Sequence, residues 1–295
     1  MIESSNQAPE ILIPKKNIIL DASTFSTLMS CARLTDFRFN HSFVSIRGKS
    51  SSLIKGSIVH AVLENFYKSI IGGMSRSQAV GFGLAAGQAY ASSDDARNVN
   101  SEDVELALKT SEEYLDFYKN DFWIPLEVEC VKGAVIYEDD EIRILWKAKY
   151  DWIVDTTQLI TSVDHKTMSQ RRDTLTLNNQ FMGQCVLLGV RSMFVNKIGF
   201  QKSLKPEEKF TRLMINYTND QLVEWQSTIV PYYAKLMLMY QESEYWPPNF
   251  THCENKYGFC TFKDVCSSDR NMREETLKQF FEVGKKWDVT NDEKE

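Results

Sequence analysis

Residues 141–167 read EIRILWKAKYDWIVDTTQLITSVDHKT. Two runs of β-branched, aromatic and alternating residues flank a turn at Thr156–Thr157, which predicts an antiparallel strand pair. LEVECVKGAVIY (126–137) precedes them across a turn at Glu138–Asp140 and completes a meander. Strand side chains alternate faces, so Asp164 and Lys166 project to one side and His165 to the other. Asp151 and Asp164 lie at similar offsets from the turn, so the pairing brings two carboxylates together beside one ammonium. Taken alone, D-x-K also describes a surface ion pair on an edge strand.

Working outward, the pattern alternates helix and strand. A Ser/Thr-rich helix start is expected within 21–40, with Cys31 inside that helix or just after it. Residues 55–71 have apolar side chains at 58, 59, 62, 63, 66, 67 and 70, a helical period, and Gly72–Gly73 stops them. Further helices are expected over 76–92 and after Ser101. Beyond the meander come a helix over 177–190, strands at 194–201 and 209–217, a long helix over 219–243 and a loop-rich segment at 246–267. A last amphipathic helix over 271–287 leads into a solvated charged tail, Asp288–Glu295. The expected fold is α/β: a mixed sheet flanked by helices, with helical decorations and a cysteine-rich C-terminal segment. Residues 1–20 read as a loose arm, 21–267 as one domain, and 268–295 as a C-terminal helix and tail.

The helix and strand positions add two polar candidates. His60 and Glu64 share a helical face, which makes the imidazole a candidate ligand if it points at the sheet; a satisfied core histidine is the plainer alternative. Gln180 opens the helix after the D-x-K strand and needs a polar partner if buried; it would orient a phosphate, a water or Lys166. Hard carboxylate oxygens suit Mg²⁺ or Mn²⁺, and a neighbouring lysine balances developing negative charge, which together are the requirements of metal-dependent phosphodiester hydrolysis.

Composition narrows the class. Hydrophobic residues are 43% and charged residues 25% of the 295, which excludes wholesale disorder. No apolar run reaches the roughly 18 residues of a membrane span. The N-terminus shows no signal peptide, so a cytoplasmic protein is expected. The net charge of −6 argues against a uniformly basic nucleic-acid binder. Within Ile142–Lys205, however, ten Lys and Arg stand against four Asp and Glu, leaving −12 for the remainder. A basic segment therefore coincides with the candidate site. The aromatics read mainly as core, the six tryptophans included.

Of six cysteines, Cys253, Cys260 and Cys266 cluster within fourteen residues. In a reducing compartment disulfides are disfavoured and clustered thiols suggest metal. Cys130 and Cys185 fall on a strand and a helix and read as core.

The series GSIVH (56–60), KAKYD (147–151), VDHKT (163–167) and NNQ (178–180) resembles the motif series of the PD-(D/E)xK superfamily, and more narrowly that of the RecB-like nucleases. The resemblance implies a restriction-endonuclease-like core. It implies His60, Asp151 and Asp164 as metal ligands with the His165 carbonyl, Lys166 as catalytic lysine and Gln180 as the helix glutamine. Gln184 stands where that family usually has tyrosine, and Ala148 where glycine often precedes the aspartate strand. A subset of the family, including CRISPR-associated single-strand exonucleases, nuclease modules of break-repair complexes and small phage-encoded members, carries an iron–sulfur cluster on one cysteine before the histidine and three after the glutamine helix. Cys31, Cys253, Cys260 and Cys266 have that order, although C-x6-C-x5-C departs from the usual C-x2-C start.

Four thiolates suit a [4Fe–4S] cluster. Cys31 and Cys253 are 222 positions apart, so the cluster would staple nearly the whole domain. Zn²⁺ at the same cysteines, or with His252 replacing Cys31, is the competing reading. The resulting expectation is a Mg²⁺- or Mn²⁺-dependent deoxyribonuclease, more exonuclease than endonuclease, acting on single strands or free ends, with an oligomeric or helicase partner allowed. The alternatives are a non-catalytic iron–sulfur or zinc-stapled DNA-binding or assembly subunit.

Overall fold

The computed structural model describes residues 15–168, 176–255 and 258–288. Residues 1–14 of the expected arm, Arg171, Arg172 and Asp173 of the basic segment, and 289–295 of the tail lie outside them. Residues 16–20, expected in the arm, instead belong to strand β1 (Lys16–Asp21), with Leu20 fully buried. Helix α1 (Ala22–Ser30) follows directly, capped by Asp21, whose carboxylate accepts from the amides of Ser23 (2.7 Å) and Thr24 (3.0 Å). The helix expected to start within 21–40 is α1, and Cys31 stands just after it in extended backbone (φ −164°, ψ 115°); α2 (Ala32–Thr35), a π turn (Asp36–Asn40) and β2 (Phe43–Ser45) follow.

Three helices come next, α3 (Ser51–Ile71), α4 (Arg76–Ala91) and α5 (Ser101–Phe117). The meander is β3 (Ile124–Glu138), β4 (Ile142–Asp155) and β5 (Ile160–Met168). Helix α6 (Asn179–Leu188), β6 (Ser192–Gly199), a short α7 (Pro206–Lys209) and β7 (Phe210–Asn216) complete the α/β unit. The long helix expected over 219–243 is α8 (Asn219–Glu224) and α9 (Val230–Glu242), joined by a π turn at Trp225–Ile229. Pro231 has no N–H to offer the carbonyl four residues back, so the ladder changes there. A hairpin of β8 (Glu254–Asn255) and β9 (Gly258–Phe259) and helix α10 (Lys263–Ser267) carry the clustered cysteines. The last helix, α11 (Arg273–Phe280), is shorter than expected; β10 (Phe281–Val283) pairs with β2.

One mixed sheet organises the chain, and its pairing decides where the site lies. β3 runs antiparallel along one edge of β4. The other edge of β4 changes partner: β1 pairs parallel with Ile142–Lys147, and β5 pairs antiparallel with Trp152–Asp155. β5 then pairs parallel with β6, and β6 antiparallel with β7. Between Lys147 and Trp152 no strand among the described residues occupies that edge, because β1 and β5 diverge there. Such divergence points are where open α/β sheets bind ligands.

The two faces carry separate cores. Around Trp146, Phe25 and Trp225 pack α1, α6 and α9; around Trp152, Phe66 and Tyr114 pack α3 and α5. Gly56 lets α3 approach the sheet, since a Cβ there would stand 2.9 Å from Thr167 Oγ1. Gly183 does the same for α6, where a Cβ would meet Trp146 Nε1 at 2.2 Å. Among the described residues no helix is long and apolar enough to cross a membrane.

Candidate active site

Asp151 lies at the divergence of β1 and β5. One position beyond the Trp152↔Val163 pair, its level is that of Asp164, but the Asp151 carboxylate itself fills the space between the strands: Oδ2 accepts the backbone N–H of His165 at 2.7 Å. A strand residue's N–H and C=O leave the same edge, so the His165 carbonyl also faces this gap. The alternation of β4 slips here. Trp146, Ala148 and Tyr150 face one core, whereas Trp152 and Val154 face the other. β3 slips at the same level, where Glu129 has φ +50°. The vacated edge of β4 is satisfied from α6: Gln184 Nε2 donates to the Lys149 carbonyl at 2.9 Å. An amide therefore does useful work at a position where the resemblance leads one to expect tyrosine.

On the α6 side, Asp164, Lys166 and Gln180 form a closed triangle. Lys166 Nζ donates to Gln180 Oε1 at 3.1 Å, and Gln180 Nε2 donates to Asp164 Oδ1 at 2.7 Å. Nζ stands 2.8 Å from Asp164 Oδ2, which is buried and takes no aligned hydrogen bond among the described residues. The glutamine thus orients both the lysine and the carboxylate. Burial works against the charge on Lys166, yet Asp164 and Asp151 outweigh it and raise its pKa. The His165 side chain points the other way, as alternation requires, and lies beside the stacked Tyr67–Trp152 pair, near parallel to both rings, with Nδ1 3.4 Å from Asn196. Burial holds its pKa well below the usual histidine value, so the ring is neutral.

From the opposite face, α3 brings His60 Nδ1 to 3.6 Å from Asp151 Oδ2. Glu64, on the same helical face, pairs with Lys68 (2.9 Å). His60, Glu129 and Asp151 offer ligand atoms that all lie within 4.8 Å of one another. Glu129 escaped the sequence reading, because nothing in a strand sequence marks one glutamate as the residue at the slip. Asp164 does not join this closest set. Burial pushes the Asp151 carboxyl up to about 6; His60 opposes the shift, and Asp164 and Glu129 add to it. Three carboxylates, one imidazole and a carbonyl fit a hard divalent cation, with Mn²⁺ tolerating the nitrogen better than Mg²⁺.

A pocket of about 480 Å³ opens onto Asp151 and Gln180 and is lined by Lys147, Lys149, Arg38 and Trp287. Of the basic segment, Lys147 and Lys149 reach this pocket and Lys166 the triangle behind it, while Lys197 is buried in β6. Arg38 comes from the π turn after α2, outside that segment. Trp287 is not core: 42% exposed, it donates Nε1–H to Asp21 Oδ2 at 2.8 Å. Asp288, expected in solvent, lies 3.8 Å from Lys147.

All four candidate cluster cysteines line one further pocket, walled by Arg33, Leu34, Phe37 and Phe262. Cys31 Sγ accepts the Asn249 amide at 3.3 Å, and Arg33 Nη1 approaches Cys266 Sγ at 4.0 Å. Burial raises the Cys253 and Cys260 thiols, and the neighbouring cysteines add to it. No three of the four sulfurs lie within 4.8 Å of one another. Cys185 sits in the core and the half-buried Cys130 packs against it, and burial pushes both thiols up to about 12.

Comparison with known proteins agrees with this geometry. A family profile described as the PD-(D/E)XK nuclease superfamily matches residues 22–267. No curated protein matches the chain. A Eubacterium rectale protein, an exonuclease by assignment, is similar in fold: TM-score 0.50 and 14% identity over 85% of this chain and 94% of that one. A second solved structure, SSO0001, shares 15% identity over 71% of this chain and 84% of its own, at a TM-score of 0.34. With a profile spanning both faces of the sheet, and the triangle and Asp151 at the point where its strands part, the chain belongs to the PD-(D/E)XK nuclease superfamily.

Proposed function

We propose that the chain is a Mg²⁺- or Mn²⁺-dependent deoxyribonuclease that degrades single-stranded DNA or DNA from free ends. The observation that carries this is the Asp151 carboxylate, placed between His60 and Glu129 on one side and the Asp164–Gln180–Lys166 triangle on the other. His60, Glu129, Asp151, Asp164 and the His165 carbonyl would hold the cation. When bound, it supplies Lewis-acid polarisation of the phosphoryl oxygen and a nucleophilic water at neutral pH. Lys166, kept charged by two carboxylates and aimed by Gln180, offsets the negative charge that grows on the phosphoryl oxygens. Lys147, Lys149 and Arg38 position the flanking phosphates.

The four cysteines support a [4Fe–4S] cluster as the staple joining α2 to α10. Around one zinc, with Zn–S near 2.3 Å, tetrahedral thiolates stand about 3.8 Å apart. Four thiols that line one pocket suit a cluster in which each thiolate binds its own iron. Time courses on end-labelled linear single-stranded, linear double-stranded and circular single-stranded DNA, with Mn²⁺ or with chelator, test the reading. Expected are terminal products from linear single strands, none from circles and none with chelator; cleavage in chelator would overturn it.

A further inference from the structure

Among the described residues a groove of about 880 Å³ lies apart from the catalytic pocket. It lies between β2, the N-terminal end of α3 and the cysteine-bearing hairpin. One side chain belongs to both cavities: Arg38 lines the groove and also the pocket containing Asp151. Among the described residues no carboxylate pairs with its guanidinium, whose recorded neighbour is the Phe39 ring. The groove therefore adjoins the candidate active site, with an unpaired cation as the wall they share.

Its lining identifies the occupant. Phe259, Leu53 and Val44 are 69%, 64% and 44% exposed and present apolar faces. Its charges nearly balance: Arg38, Lys49 and Arg97 against Asp94, Asp95 and Glu282, with Lys49 held by Asp95 at 2.6 Å. A duplex hides its base faces and presents two rails of phosphate, so it demands a cationic lining. An unpaired strand exposes base faces that stack on aromatics and needs fewer cations.

We propose that this groove is the track of a single DNA strand leaving the active site, with Arg38 gripping a phosphate at the junction and Phe259 stacking a base beyond it. On the catalytic side of Arg38, Trp287 offers a second stacking surface. This rests on the nuclease reading above, and names the surface that selects unpaired DNA.

The test compares kcat/KM for strands of about 16 and about 4 nucleotides, in wild type, Phe259→Ala, Arg38→Gln and Lys166→Ala. Phe259→Ala is expected to lower the long-to-short ratio about 10-fold, the loss of one stacked base. Arg38→Gln is expected to make the salt slope of single-strand binding shallower by about 0.7, one phosphate contact. Phe259 is an exposed hairpin residue, so a folding defect is not expected to mask the result. An unchanged ratio with an unchanged salt slope overturns the proposal. So does an altered sedimentation coefficient in Phe259→Ala with an unchanged ratio, which would make the groove a contact between copies. Cleavage surviving Lys166→Ala would sink the nuclease reading itself; a dead Lys166→Ala with an unchanged ratio sinks the groove alone.

Discussion

Replacing Gln180 with alanine isolates the part of the site that is geometric rather than ionic. Its amide makes two charge-assisted hydrogen bonds, from Lys166 Nζ (3.1 Å) and to Asp164 Oδ1 (2.7 Å). Each such bond is worth roughly 1.5–3 kcal/mol. Losing one of them from the transition state, about 3 kcal/mol at the upper end, slows the chemical step about 100-fold. The helix is not at risk, because Asn178 caps it through the Gln180 backbone amide (2.8 Å), which alanine keeps. The assay is single-turnover cleavage of an end-labelled single strand at saturating Mn²⁺, with DNA affinity measured separately. The rate constant is expected to fall about 100-fold while affinity changes less than about threefold, since Gln180 is tied to Asp164 and Lys166. Gln180→Glu sharpens the test: it still accepts from Lys166 but sets a like charge against Asp164, so it is expected to be slower than wild type. A Gln180→Ala enzyme within about threefold of the wild-type rate would refute the claim that this amide aims the lysine.

Three further outcomes follow from the geometry. Cys31→Ser removes a thiolate from the proposed staple; closing a loop of 222 positions is worth about 5 kcal/mol in the chain-entropy model, or about 9 °C in Tm, read by calorimetry together with loss of iron and acid-labile sulfide. Asp151, raised to about 6 in the metal-free protein, contributes stability that is complete below its unfolded value near 3.8 and is lost as pH rises through about 6. Because a cation requires the carboxylate, Mn²⁺ affinity is expected to rise across that same window with release of a proton, measured by titration calorimetry in buffers of different ionisation enthalpy. Glu129→Gly keeps backbone suited to φ +50° but removes the carboxylate, so Mn²⁺ is expected to bind about 10-fold more weakly with Tm nearly unchanged; equal affinity would show that Glu129 serves only the strand slip.

What the sequence disclosed and what it hid divide along physical lines. Strand alternation separates Asp164 and Lys166 from His165 without any coordinates, and the helical period marks the face bearing His60. Gln180 was legible because it is polar at the start of an otherwise apolar helix. Glu129 was not, since its importance comes from a change in face alternation that two strands share. β1 was hidden for a similar reason: KNIILD reads as strand only when paired with Ile142–Lys147, over 120 positions away. Arg38 sits in the π turn that follows α2, and Trp287 lies just beyond β10, which pairs with the distant β2. Both are consequences of long-range closure, which local periodicity does not encode. The acidic total likewise concealed a pocket whose cations come from β4 and from the segment after α2.

The central claim is that Lys166, aimed by Gln180 and flanked by Asp164 and Asp151, completes a metal-dependent phosphodiesterase site. Its most direct test is the Mn²⁺-dependent cleavage rate of an end-labelled single strand by wild type and Lys166→Ala, with matched circular dichroism and melting. Wild type is expected to cleave with Mn²⁺ and not with chelator, and Lys166→Ala to be at least about 1,000-fold slower while folded and still binding DNA. Equal rates in the two folded proteins, or no cleavage by wild type on any nucleic acid with either metal, would contradict it.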